Sequence, residues 1–241
     1  MVLGVLIALG LGAVATEIGW KVEVYYARNA MQVELGELIG QGEERDNIHR
    51  CVEARLDQLS LIVDAAAKDG RLPPLGGIGV PPWRTWPRGI WASNAETVAH
   101  LGRDLLDNYS SAYEFADAMA ALGAREIDVW TRLHALVGPG RALDGEEAAE
   151  LRRAIGEARM IDRMIVGNGL RLKQIVTAYD LGYDAGSAEP YGTRPIKDFP
   201  ICDPIGKAVP ATYGQAPFDT LIDTVKANPF TNKTGSGVPK R

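Results

Sequence analysis

The chain has 241 residues, 26 Lys and Arg against 31 Asp and Glu, and a net charge of -5. An acidic balance of this kind argues against a general nucleic-acid binder, which carries a basic surplus. Hydrophobic content of 46% and charged content of 24% are those of an ordinary folded protein, so no nucleic-acid partner is expected and a sizeable core is.

The first element is "MVLGVLIALGLGAVATEIGW", free of charge from Val2 to Thr16. Three readings of this stretch stay open: a retained transmembrane helix over residues 1–20, a cleaved signal peptide, and a buried core helix. Eighteen or nineteen residues of helix span about 28 Å, close to a hydrocarbon core of about 30 Å. Trp20, Tyr25 and Tyr26 follow as an interfacial aromatic belt would. "AVA" at Ala13–Ala15 has the small-x-small form of a cleavage site, but no Lys or Arg precedes the run and helix-forming residues continue past it. Gly4, Gly10 and Gly12 suit lipid better than the interior of a water-soluble helix. The retained anchor is the expectation, with membrane lipid as partner through residues 1–20.

From there the apolar residues keep a helical beat: Leu35, Leu38, Val52, Leu56, Leu59, Val63 and Ala66. Gly42, Arg45 and His49 interrupt the stripe, which predicts a bend or frayed joint at 40–47; Gly70 ends the helix as a left-handed cap. Residues 71–92, with paired prolines around three glycines, predict a long loop. "SNAE" predicts a helix opened by a Ser93–Glu96 capping box, ended or kinked by Gly123 and followed by a shorter helix. Asp144 is the predicted N-cap of the longest helix, running to about Leu181 with Leu151, Ile155, Ala158, Ile161 and Ile165 on its apolar face. No alternating strand pattern appears. The fold class expected is all-α: the anchor, an antiparallel bundle of three to four long helices over 21–181, and an irregular tail over 182–241. Eight of the 14 prolines fall in that tail. Its first part, through "FPICDPI", is expected to lie back on the bundle in extended form.

The blocks "PPLGGIGVPPWRTWPRGIW", "VWTRLHALVGPGRALD" and "ELRRAIGEAR" resemble an uncharacterised family of bacterial single-pass, mostly helical membrane-anchored proteins, over roughly residues 1–180. That likeness carries no activity. It implies the fold, a retained anchor and a bacterial inner-membrane address.

Cys51 and Cys202 form the disulfide candidate, and a bond between them places the body in an oxidising compartment, the periplasm. Two buried unrelated thiols are the other reading. Lys21 and Arg28, following the span, point by the positive-inside rule to the cytoplasm instead.

Trp83, Arg84, Trp86, Arg88 and Trp91 form the candidate interaction patch, since Trp and Arg dominate interface hot spots. The structural alternative has the tryptophans plugging an open end of the bundle. "GGIGVP" and "GPGRALDG" lack the Gly-Lys-Ser/Thr of a phosphate loop. Of the three histidines, His49, His100 and His134, only His100 has acids at both i-4 and i+4, Glu96 and Asp104. Such faces are commonly solvated charge networks. Catalytic residues, cofactors and metals are therefore expected to be none. The function expected is a non-enzymatic accessory or scaffolding subunit of a membrane-associated assembly, with a protein partner or self-association. The alternative is a small-molecule sensor enclosing a pocket lined by Met119, Trp130, Met160 and Met164.

Overall fold

The computed structural model describes residues 2–205, with side chains from Gly10 onward. The expected anchor lies partly, and the tail beyond 205 wholly, outside the residues so described.

Helix α1 (Val2–Asp69) runs for 68 residues without a break. Gly70 ends it with φ of 68°, as the left-handed cap predicts. A short β1 (Arg71–Leu72) then pairs antiparallel with β2 (Arg141–Ala142), tying the far end of the bundle. Two short helical turns, α2 (Gly89–Ser93) and α3 (Ala95–Val98), precede the long α4 (Arg103–Leu133). The third long helix, α5 (Gly145–Ala178), is capped by Asp144, whose carboxylate accepts from the Glu147 amide at 2.8 Å. The short α6 (Ala185–Gly192) and two 3-10 turns, Ile196–Asp198 and Pro200–Cys202, complete the described chain.

Three long helices form the core, but they are not all antiparallel. Glu34 and Arg45 of α1 meet Tyr113 and Glu126 of α4 in ascending order, so α1 and α4 run parallel. Arg45, Glu53 and Asp64 of α1 meet Asp162, Arg159 and Arg152 of α5 in descending order, so α5 opposes both. The reason is the connection. Residues 70–102 do not turn back at once but retrace α1 from its far end: the Ile78 carbonyl lies against Arg55, Arg84 against Glu44, the Ile90 amide against Glu34, and His100 against Trp20. The Pro-rich run thus acts as a fourth, extended layer, which its prolines favour because their amides need no ladder partner.

Four further sequence-based expectations are corrected. The helix expected from Ser93 starts at Arg103, and no Ser93–Glu96 capping box forms; Ser93 instead donates to the Ile90 carbonyl at 3.3 Å. Gly123 does not end α4. A side chain there would meet the Trp86 indole at 3.0 Å, so the glycine is the seat of that tryptophan. No break occurs in α1 at 40–47, because Gly42 packs on Gly169 and the polar residues there face partners on other helices. Lastly, the first part of the tail is helical at α6 rather than irregular.

That helix lies on α1 through Gly36 and Gly40. A Cβ on Gly40 would stand 2.5 Å from the Ala188 carbonyl oxygen and 2.8 Å from its Cα, backbone atoms that cannot rotate away. Gly40→Ala is therefore expected to lift α6 from the body at a cost of about 1–3 kcal/mol. The check is faster amide exchange over 185–192; unchanged protection there would contradict the packing.

Past α6, Phe199 and Ile201 are 2% exposed and join the core, so this part of the chain does lie back on the bundle. Cys202 then bonds to Cys51 of α1.

Candidate functional site

The polar residues that interrupt the apolar stripe of α1 turn inward and meet charges from both other long helices. Arg45 lies between α4 and α5. Its Nε donates to Asp162 Oδ1 at 2.7 Å and its Nη2 donates to Glu126 Oε1. His49, one turn on, places Nδ1 2.5 Å from Asp162 Oδ2. The side chains of Arg45 and Glu126 are 5% and 6% exposed and that of Asp162 is fully buried. Burial pushes the Glu126 carboxyl above the ordinary carboxylate range, against the pull of Arg45.

Two further pairs bind the extended layer to α1. Arg84 makes a bidentate pair with buried Glu44 at 2.6 and 2.5 Å. Glu34 accepts from the Tyr113 hydroxyl at 2.7 Å and from the Ile90 amide at 3.1 Å. Burial, and then Glu34, hold the Tyr113 hydroxyl far above its usual range. Near the disulfide, the Arg55 guanidinium donates to the carbonyls of Ile78, Ile201 and Asp203. Burial pulls Arg55 below its ordinary value, with Asp203 acting the other way. One cation there gathers α1, the Pro-rich layer and the C-terminal turns.

Among the described residues one grouping has metal-ligand chemistry: His49, Glu53 and Asp162 each bring a ligand atom within 4.8 Å of the others. Its oxygens are already engaged. Asp162 serves Arg45 and His49, while Arg163 and Arg159 lie 2.7 and 2.9 Å from the two Glu53 oxygens. A divalent ion would have to displace these cations, so the arrangement is built as an interhelical ion-pair network.

The residues singled out from sequence separate into groups. Trp86 is buried over Gly123, and Trp91 stacks on Tyr113 with ring centroids 5.0 Å apart. Arg84 is spent on Glu44, and Arg88 pairs with Asp117 on the surface. Trp83 alone of the three tryptophans is well exposed, at 53%, and it edges a cavity of about 20 Å³ with Ile127 and buried Gln41. The Glu96, His100 and Asp104 ladder does not form, since α3 ends at Val98 and α4 begins at Arg103. His100 lies in the turn between them, stacked on Trp20 at 3.8 Å. The four sensor residues do not converge either: Met119 and Trp130 are in the core, while Met160 and Met164 are 46% and 45% exposed.

Among the residues missed were Glu34, Glu44, Arg55, Glu126 and Asp162. Their signal was a charge seated on an apolar stripe, as Asp162 is between Ala158 and Ile165.

Before residue 20 the molecule changes character. Every residue from Gly10 to Gly19 is exposed, Leu11 at 66%, Val14 and Ile18 at 57%, and nothing of the body lies within 4 Å of where a Cβ would stand on Gly10, Gly12 or Gly19. Among the described residues no helix is long and apolar enough to cross a membrane.

No protein-family model matches the chain, and neither a curated protein nor a solved structure is similar to it.

Proposed function

We propose that the protein is a non-enzymatic, membrane-anchored accessory or scaffolding subunit, its helical body held off a bilayer by the N-terminal part of α1. The observation that carries this reading is the bare stem. From Gly10 to Gly19 the helix is exposed on every side and carries one charge, Glu17, and an apolar stretch of this kind projecting from a folded body belongs in an apolar medium. The stem from Val2 to Gly19 is 18 residues, about 27 Å of helix. The family resemblance noted above supports the same reading, with a bacterial inner-membrane address.

The Cys51–Cys202 bond supports a body in an oxidising compartment, the periplasm, against the positive-inside count of Lys21 and Arg28. An accessory role is supported by the way the buried ionisable groups are spent on one another, which leaves rigidity rather than reactive groups. The partner contact would be the remaining exposed part of the Trp/Arg loop at Trp83.

The test is flotation of the full chain with vesicles, beside a variant lacking residues 2–19. The full chain is expected to float through a carbonate wash and the truncated chain to stay behind. Equal behaviour of the two would sink the anchor. Extracted in mild detergent from its native membrane, the full chain is expected in a complex that Trp83→Ala reduces; a lone 26.0 kDa chain in both samples would end the accessory reading.

A further inference from the structure

We infer that the body carries an anionic-phospholipid site at the foot of the stem, built by Lys21 and Arg28. The inference rests on the anchored reading above. Lys21, Val24, Tyr25, Arg28, Asn29 and Gln32 line an open hollow of about 300 Å³ along one face of α1. No acid lines it. The nearest carboxylate on the stem, Glu17, lies 3.5 Å from Lys21 in an exposed pair that water screens.

Arg28 is the unusual member. It is half-buried, has no carboxylate within ion-pair distance among the described residues, and its Nε is buried without a hydrogen-bond partner. Its guanidinium lies beside the Tyr109 hydroxyl, whose own deprotonation burial opposes. Gln32, at the inner end of the hollow, is fixed by donating to the Leu181 carbonyl at 2.9 Å, just past the end of α5. A cation held in such a place without a counter-charge is stabilised by an anion that completes it.

The geometry also matches a lipid surface. Side chains on a helix lean toward its N-terminus, so Lys21 is directed toward the stem and Glu17, while the Arg28 guanidinium lies against the body beside the Tyr109 hydroxyl. Trp20, at the end of the stem, stacks on His100 and marks the level at which body begins. The polar layer of a bilayer is about 5–7 Å deep on each side, and Lys21, one residue past Trp20, falls in it if Trp20 sits at its edge, while the Arg28 Cα, about 12 Å past Trp20, lies on the body side of it. The ligand chemistry is a phosphodiester, with Tyr25 and Tyr26 as the aromatic belt around it.

The experiment is native mass spectrometry of the full chain in detergent, titrated with phosphatidylglycerol or phosphatidylcholine. One phosphatidylglycerol should be retained about 25-fold more tightly than phosphatidylcholine, about fivefold for each cation. Lys21→Gln, on the exposed surface of α1, leaves the core untouched and should lose its fivefold share; Arg28→Gln should lose at least as much with melting of the body unchanged. Equal retention of the two lipids, or retention unaffected by Lys21→Gln, would overturn the site. Competition by millimolar inorganic phosphate would show a site for a free anion and overturn the lipid assignment. Failure of the full chain to float with vesicles of either lipid would instead be the failure of the anchor itself.

Discussion

Arg45→Ala should lower the stability of the body by about 3–5 kcal/mol, because it leaves the Glu126 and Asp162 carboxylates buried without their cation. For a body of this size that is a fall in melting temperature of about 6–20 °C. The deficit should depend on pH in a defined direction. Burial has already raised the Glu126 carboxyl above its unfolded value of 4.5, and loss of Arg45 raises it further. A raised acid is relieved by protonation, so Glu126's share of the deficit is full above the variant's folded value and shrinks as pH falls from there to the parent's own folded value, which itself lies above 4.5. Replacing Arg45, Glu126 and Asp162 together by Met, Leu and Leu should cost little or stabilise, since all three desolvation penalties vanish at once. His49 would then lose its partner, but its side chain is 31% exposed and water can serve it. An Arg45→Ala protein melting within a degree or two of the parent would mean that water enters the cluster.

The same residues show what a sequence can and cannot reveal. Leu35, Leu38, Val52, Leu56, Leu59 and Val63 disclosed α1 because helical periodicity is local, and all six are fully buried. Asp144 and Gly70 disclosed helix ends for the same reason. Arg45 and His49 were read as an interruption because their partners lie 81 to 117 residues away, where no window reaches. A polar residue on an apolar stripe signals either a break or a buried partner. Only the discovery of matching charges on two other stripes, Glu126 and Asp162, separates these readings.

The Pro-rich loop was legible as non-helical but not as a layer. Its course beside α1 is fixed by Arg84 on Glu44 and by Trp86 on Gly123, pairs formed across separate parts of the chain. That course is also why α1 and α4 run parallel, which no local pattern reports. Gly36 and Gly40, four residues apart on α1, were a usable sign that another backbone packs there; it proved to be α6.

The largest single effect on stability is expected from the disulfide. Cys51 and Cys202 are separated by 151 residues, and in the chain-entropy model closing such a loop in the unfolded state contributes about 5 kcal/mol, an upper figure. In the folded state Arg55 already holds the C-terminal turns through the carbonyls of Ile201 and Asp203, and Phe199 and Ile201 are buried. The bond therefore acts mainly on the unfolded chain, and its loss should not loosen the native contacts. Cys51→Ser with Cys202→Ser should leave helix content and amide protection of the core at low denaturant unchanged, while lowering the unfolding midpoint steeply. Adding reductant to the parent should reproduce the shift. If instead amide protection over 196–203 collapses while the midpoint hardly moves, the bond is a clasp for the C-terminal turns and Arg55 does not hold them alone. If neither changes, the two thiols are not bonded in the mature protein, and the argument for an oxidising compartment falls with the bond.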